Sequence, residues 1–251
     1  MEESKVFLVT GNEDLRNKNL FLENLLYFEK KRQESPLLID LIPGNSCFSM
    51  ECAESGGKSK TRSPFEYFTE LEIPRITGER LASELTGKDG EELFAYEDAF
   101  SNTFILGAFP KESLRFYNCI DHIVFVIKND FESSSYLFNF INDLYDQMVQ
   151  KNMCILISGI KRIEDAAGFF VKLRDEMKSL IDGGLSFDFL GALDFDLNRI
   201  AFSKKRQEPY LKIFEGDSMH GNIKYVHERL YGLEHFKTES FFKAVAARGT
   251  G

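Results

Sequence analysis

The sequence predicts an α/β fold organised around a mostly parallel sheet. The chain has 251 residues, 43% of them apolar, which suits one sizeable domain. It opens with an apolar run at Lys5–Thr10, an amphipathic segment at 20–31, and a second apolar run that follows Pro36 and ends at Asp40. Such a strand–helix–strand unit joins parallel strands through a right-handed crossover. Apolar runs and amphipathic segments then keep alternating along the chain.

The later segments extend this pattern. Strands are predicted at 102–110, 121–128, 153–157 and 187–193, and helices at 161–180, 197–206, 221–230 and in a segment that runs to Gln147. Pro209 ends the helix at 197–206, and the pair Asp217-Ser218 predicts the cap of the closing helix. We therefore expect one domain at 1–232 and a tail at 233–251 that is either helical or disordered. The tail's two acidic residues and short length favour docking on the domain, or disorder, over a membrane-surface helix.

The region between the second strand and residue 102 is predicted to be irregular. Residues 11–19 form a polar loop, and the small, basic segment 52–64 predicts a mobile loop. Its GGKS sequence resembles part of a phosphate loop, but no predicted strand directly precedes it. Residues 65–96 predict short helical pieces with turns at Pro74 and Gly78. This segment is a candidate interaction surface.

Composition and charge argue against several classes of protein. A net charge of −9 opposes a broad nucleic-acid surface, which needs a basic face. The four cysteines lack metal-ligand spacing, and Cys119 and Cys154 are expected to be buried free thiols. The charged start predicts no signal peptide, and no apolar run approaches the roughly 20 residues of a membrane span, so we expect a cytoplasmic protein. His122 is expected to be a structural histidine at a strand edge.

The stretch 187–218 has a recognisable order of residue types. It contains, in this order, Phe189-Leu190-Gly191, Asp196, Ile200-Ala201, the basic tract 204–206, Pro209 and Asp217-Ser218. This order resembles the C-terminal signature of the ParA/MinD family of deviant Walker A ATPases, especially the branch of the flagellar-number regulator FlhG. The resemblance covers residues 5–230. It implies a three-layer α/β/α fold of the P-loop NTPase type with a mostly parallel central sheet.

The family's phosphate-binding loop is poorly matched. In the pattern G-x-x-x-x-G-K-[ST], backbone N–H groups cradle phosphates and the hydroxyl binds Mg²⁺. Aligned on Lys18, the glycine positions hold Asn12 and Asn17, and the hydroxyl position holds Asn19. Two interpretations stay open: an ordinary solvated loop, or a residual nucleotide site formed by Lys18, Asn19 and Asp40.

Other residues that the resemblance would assign to catalysis are also replaced. Ile42 stands where the family has a water-activating aspartate, and Gly107 stands at the Walker B aspartate. Ser158 or Gly159 replaces the purine-reading asparagine. Since phosphoryl transfer depends on Mg²⁺ ligands and water-orienting acids, these replacements argue against hydrolysis.

The resemblance therefore implies a pseudo-ATPase without a cofactor, acting as a protein-interaction module. Its process would be the placement or number of flagella or another bacterial surface organelle. We expect a protein partner, as a homodimer or a heterodimer with an active paralogue, and neither nucleic acid nor membrane. The alternative is a weak switch or ATPase that binds ATP with Mg²⁺ through Lys18 and Asp40.

Overall fold

The structure is a computed structural model. It describes residues 4–43, 48, 52–54, 66–68, 71–79, 81, 99–109, 116–144, 152–180, 186–194, 196–234 and 240–241. The described strands are β1 (Lys5–Thr10), β2 (Pro36–Asp40), β3 (Cys52–Glu54), β4 (Glu66–Phe68), β5 (Ile73–Thr77), β6 (Asn102–Leu106), β7 (His122–Lys128), β8 (Asn152–Ser158) and β9 (Ser186–Leu193). The described helices are α1 (Leu15–Lys31), α2 (Phe131–Leu144), α3 (Ile163–Leu180), α4 (Leu197–Arg206), α5 (Tyr210–Ile213) and α6 (Ser218–Tyr231).

All nine described strands form one sheet in the order β3-β4-β5-β2-β6-β1-β7-β8-β9. From β5 to β9 every neighbouring pair is parallel, and β3 and β4 extend the β5 side as antiparallel strands. Strands β1, β2, β6 and β8 are buried along their whole length, as expected for a sheet covered on both faces.

Two apolar cores lie on opposite faces of the sheet. Side chains of α2 and α3 pack on one face, where Leu137, Phe170 and Met177 belong to the same core. Side chains of α1, α4, α5 and α6 pack on the other face, where Leu25 and Ile223 belong to the second core. The predicted three-layer α/β/α architecture with a mostly parallel sheet is therefore confirmed.

The first helix begins earlier than predicted. Helix α1 begins at Leu15, so the predicted polar loop at 11–19 is too long. The reason is a cap: the Asp14 carboxylate accepts a hydrogen bond of 2.8 Å from the amide of Arg16. Aspartate at this position stabilises a helix start by satisfying an otherwise unpaired N–H group.

The region between β2 and β6 also differs from the prediction. Cys52–Glu54 is a strand rather than the start of a mobile loop; residues 55–64 lie outside the described residues. Pro74 lies inside β5 rather than in a turn. Pairing of β5 with β2 begins one residue later, at Arg75, so the missing N–H of Pro74 precedes this ladder.

His122, Cys119 and Cys154 are buried in the protein. His122 is the first residue of β7, a central strand that lies between β1 and β8. It is fully buried and its ring stacks on Phe7 at 5.8 Å. Cys119 and Cys154 are buried free thiols, as predicted.

The tail is described at few positions. Phe241 is buried, with its ring 6.2 Å from each of the rings of Phe109 and Phe116. Residues 235–239 and 242–251 lie outside the described residues, so the tail's secondary structure stays a prediction. Within the described part of the chain, no helix has the length and apolar character needed to cross a membrane.

Candidate functional site at the carboxyl edge of the sheet

The predicted site residues lie near the carboxyl ends of the parallel strands. Residues near these ends are register neighbours: Asp40 lies beside Leu106, and Ser158 lies between Lys128 and Leu193. Ligands of open α/β sheets bind outside this edge, where loops lead from strands into helices. The candidate site is therefore formed by the described residues of the loops that follow β1, β2, β6, β7, β8 and β9.

The loop after β1 is hydrogen-bonded to the neighbouring strand β7. It consists of residues 11–14. The amide of Glu13 donates a hydrogen bond of 3.3 Å to the carbonyl oxygen of Val126. Gly11 has φ +132°, and a Cβ atom at this position would lie 2.0 Å from the same carbonyl oxygen. Glycine thus permits a close approach of two backbones, rather than an approach to a ligand.

Four further amide groups of this turn and of the first turns of α1 also have acceptors within the chain. The amide of Asp14 donates to the Glu13 carboxylate at 2.7 Å. The amides of Asn17 and Lys18 donate to the carbonyl oxygen of Asp14 at 3.0 and 3.2 Å. Together with the amide of Arg16, which Asp14 caps, five N–H groups between positions 13 and 18 donate hydrogen bonds within the chain, namely those at 13, 14, 16, 17 and 18. A phosphate cradle requires such groups to point at the ligand.

Lys18 lies on the first turns of α1 rather than at the end of a long loop. Its ammonium donates to the carbonyl oxygen of Gly11 at 2.9 Å. Burial lowers the pKa of Lys18, and the nearby carboxylates of Glu13 and Asp14 oppose that shift. Asn19, the next residue, is completely buried. The helix thus holds Lys18 over the end of β1 and turns Asn19 into the protein.

Asp40 is held by a neighbouring strand. It is fully buried at the end of β2, and its Oδ2 lies 2.6 Å from Nη2 of Arg75 on β5. Its Oδ1 accepts a hydrogen bond of 3.1 Å from the amide of Ile42. The guanidinium carbon of Arg75 lies 5.5 Å from the centroid of the Phe48 ring. Asp40 and Lys18 are thus bonded to different neighbours, Arg75 and Gly11 respectively.

The positions where the resemblance expects acids are built differently. Gly107 follows β6 with φ +129°, a conformation that favours glycine over an aspartate. A Cβ atom there would lie 3.1 Å from Cβ of Leu41. Ile42 is partly buried against the core on the α1 face.

A polar cluster that the sequence did not reveal joins the first loop to α2. The hydroxyl of Ser133 donates to the carbonyl oxygen of Lys128 at 2.7 Å, and the amide of Ser133 donates to Asp130 at 3.0 Å. Asn12 Nδ2 lies 3.0 Å from the Ser133 hydroxyl. The Ser133 hydroxyl thus connects the loop after β1 to the loop after β7. The three consecutive serines at 133–135 are the sequence feature that could have indicated this cluster.

Large apolar side chains are exposed along the same edge. Phe131, Ile163 and Leu197 are the first residues of α2, α3 and α4, which follow β7, β8 and β9. Their exposed fractions are 80%, 38% and 72%. The three helices follow three neighbouring strands of the sheet, with α2 and α3 on one face and α4 on the other.

Among the described residues, no three His, Cys, Asp or Glu side chains are grouped so that they could hold a metal ion.

Ser158 at the end of β8 is buried, and within the described part of the chain its hydroxyl oxygen makes no hydrogen bond. Gly159 follows with φ +75°, and its amide donates to the carbonyl oxygen of Leu193 at 2.8 Å.

Comparison with known proteins identifies the fold. No protein-family model matches the chain, and no curated protein sequence matches it. Solved structures do match. The MinC:MinD cell division protein complex of Aquifex aeolicus matches with 13% identity and a TM-score of 0.62, covering 92% of this chain and 97% of that chain. A ParA family ATPase of Chlorobium tepidum matches with 10% identity and a TM-score of 0.61, covering 92% and 100%.

A third match is the structure of pNOB8 ParA bound to nonspecific DNA, with 12% identity and a TM-score of 0.58, covering 92% of this chain and 100% of that chain. All three alignments extend over nearly the full domain. The chain therefore has the ParA/MinD-type fold that the residues at 187–218 indicated.

Proposed function

We propose that this chain is a non-catalytic member of the ParA/MinD type, a pseudo-ATPase that acts through contacts with proteins. Its general role would be the positioning of a cellular structure, which the fold of MinD and ParA proteins supports. The more specific role in placing or numbering flagella, or another bacterial surface organelle, is supported by the resemblance of residues 187–218 to the FlhG branch.

The observation that carries this proposal is the closed turn after β1. Five amide groups at positions 13–18 donate to acceptors of the chain itself. The buried Glu13 carboxylate and the Asp14 carboxylate add negative charge beside them. A triphosphate would have to break these bonds and lie near two carboxylates, which costs free energy instead of releasing it.

The residues that would bind Mg²⁺ and orient water support the same conclusion. Asp40 is paired with the buried Arg75, and Ile42 and Gly107 offer no side-chain oxygen. Residues of this kind do not fit a Mg²⁺–nucleotide complex, which needs oxygen ligands. The proposal therefore assigns no cofactor.

The exposed apolar side chains support a protein partner. Phe131, Ile163 and Leu197 are exposed at the carboxyl edge, and we take this exposed apolar surface as support for an interaction site there. We propose that this edge contacts a second copy of the chain or an active paralogue. The net charge of −9 supports a protein in preference to nucleic acid, because DNA contact requires displaced counterions.

Sedimentation and phosphate-release measurements test this function. We expect no ATP hydrolysis above background, and a self-association that ATP and Mg²⁺ do not change. Phe131→Ser and Leu197→Ser should weaken that association, whereas Val171→Ser, an exposed change in the middle of α3, should not. If the chain alone is a monomer, the same variants should weaken binding to an active paralogue. Steady hydrolysis, or a dimer that forms only with ATP, would overturn the proposal.

The alternative function is a weak ATP-binding switch or ATPase that uses Lys18 and Asp40. What favours it is the retention of a lysine near the end of β1, with its ammonium over the first loop. It predicts Mg²⁺-dependent ATP binding that is lost in Lys18→Ala and kept in Lys172→Ala, a change at an exposed position of α3.

A further inference from the structure

A buried cluster of polar side chains lies at the amino edge of the sheet, opposite the candidate site. It consists of Glu29 on α1, Asn102 at the start of β6, and His227 and Tyr231 on α6. Glu29, Asn102 and His227 are all buried. We call these four residues the amino-edge cluster.

One half of the amino-edge cluster is hydrogen-bonded. Oε2 of Glu29 accepts a bond of 3.2 Å from Nδ2 of Asn102. Nδ2 of Asn102 also donates to the hydroxyl oxygen of Tyr231. Tyr231 is in turn hydrogen-bonded to the Glu29 side chain. These contacts connect α1, β6 and the last residue of α6.

The other half lacks hydrogen bonds. Within the described part of the chain, Oε1 of Glu29 and both ring nitrogens of His227 have no hydrogen-bond partner. Oε1 lies 3.9 Å from Nε2 of His227, which is longer than a hydrogen bond. The imidazole instead packs against two aromatic rings. Its centroid lies 4.2 Å from the centroid of the Tyr231 ring and 5.0 Å from that of the Phe28 ring.

Such surroundings disfavour charge on either group. Burial raises the pKa of Glu29 to about 8, although hydrogen bonds from Tyr231 and Asn102 oppose the shift. Burial also lowers the pKa of His227 to about 4, with a smaller contribution from Arg32. At neutral pH both side chains are therefore predominantly uncharged.

Charged groups from neighbouring elements lie around the amino-edge cluster. Arg32 favours the Glu29 carboxylate and Glu34 opposes it, both from the end of α1. From β1, the ammonium of Lys5 donates to the carbonyl oxygens of Tyr231 at 2.8 Å and Leu233 at 2.7 Å. Lys5 is thus bonded to the end of α6. The His220 ring lies 5.8 Å from the Phe28 ring, between centroids.

We propose that the amino-edge cluster is a proton-linked latch, which holds the end of α6 on α1 and β6 while Glu29 is protonated. When the Glu29 carboxylic acid releases its proton to solvent, a carboxylate with one unbonded oxygen remains among aromatic rings. A buried charge of this kind destabilises the contacts that enclose it. The last turn of α6 then opens and exposes the carboxylate to water. This inference is independent of the proposed function.

Hydrogen exchange of the wild-type chain tests the latch. After correction for the intrinsic effect of pH on exchange, the amides at 229–233 should open roughly thirtyfold more between about pH 6.5 and about pH 9. Glu29→Gln, which imitates the protonated acid, should remove this increase. Glu228→Gln, a change at an exposed position on the same helix, should keep it.

An equal increase in Glu29→Gln would overturn the latch. Infrared spectroscopy of the wild type gives a second test that does not depend on how the variant folds. A carboxylic-acid band at neutral pH that disappears above about pH 9 is expected. Carboxyl groups that are all ionised at neutral pH would also overturn the proposal.

Discussion

Arg75 Nη2 lies 2.6 Å from Asp40 Oδ2, and both side chains are buried between neighbouring parallel strands. The pair connects β5 to the carboxyl end of β2. In this protein the Asp40 carboxylate therefore forms a buried ion pair within the sheet. Its partner is supplied by the segment of the chain that was hardest to predict.

Breaking this ion pair should strongly destabilise the fold. Arg75→Met leaves Asp40 as a buried charge without its cation, so we expect the free energy of unfolding to fall by roughly 3–5 kcal/mol. Urea denaturation measures this change. The double variant Asp40→Leu with Arg75→Met should lose much less, because no uncompensated charge remains. Lys31→Met, which removes an exposed pair with Glu215, should change the free energy of unfolding little, because solvent screens an exposed pair. A similarly small effect for Arg75→Met would contradict the account.

The close approach of the first loop to β7 should make Gly11 irreplaceable. An alanine Cβ would lie 2.0 Å from the Val126 carbonyl oxygen at φ +132°, so Gly11→Ala should destabilise the protein by roughly 2 kcal/mol or more. Gly168→Ala is the matched control. Gly168 lies within α3 with no atom within 4 Å of the added Cβ, so this change should stabilise by about 0.5–1 kcal/mol. Thermal unfolding of both variants distinguishes them, and a neutral Gly11→Ala would show that the loop can move away from β7.

Global stability should fall as the pH rises above neutral. The folded pKa of Glu29 is raised from 4.5 to about 8, so its stabilising contribution is complete below pH 4.5 and is lost as the pH rises to about 8. His227 acts in the opposite sense, because its pKa is lowered from 6.5 to about 4; its contribution is complete above 6.5 and is lost toward pH 4. Between about pH 4.5 and about pH 6.5 the two contributions change in opposite directions. Above about pH 6.5 only the contribution of Glu29 still changes with pH.

The expected decline between about pH 6.5 and about pH 8 is roughly 2 kcal/mol, since one pKa unit corresponds to about 1.4 kcal/mol. Urea denaturation at a series of pH values measures it. In Glu29→Gln the unfolding free energy should stay nearly constant over this interval. A wild-type stability that rises between these two pH values would have the wrong sign for this explanation.

Much of the fold was predictable because its central strands are continuous apolar runs. Strands β1, β2 and β8 are buried, as is β7 up to Ile127, and their apolar sequences predict buried strands. The caps of the last helices were predictable for a local reason. The carboxylates of Asp196 and Asp217 accept amide hydrogen bonds from residues two or three positions later, so sequence spacing alone reveals them.

What could not be predicted depends on contacts distant in sequence. Arg75 lies 35 positions from Asp40, in a short strand where Pro74 suggested a turn. The start of α1 was missed because its first turn is polar apart from Leu15. Alignment on Lys18 assumed a long phosphate loop, and a one-dimensional pattern cannot reveal that residues 15–17 are already helical.

The most direct test of the central claim is calorimetric titration of the wild-type chain with ATP and ADP, with and without Mg²⁺. The closed loop after β1 and the paired Asp40 predict no binding heat at millimolar nucleotide. Lys18→Ala should then be indistinguishable from the wild type. Micromolar, Mg²⁺-dependent binding that Lys18→Ala abolishes would contradict the account, and the nucleotide switch would replace the pseudo-ATPase as the function of this chain.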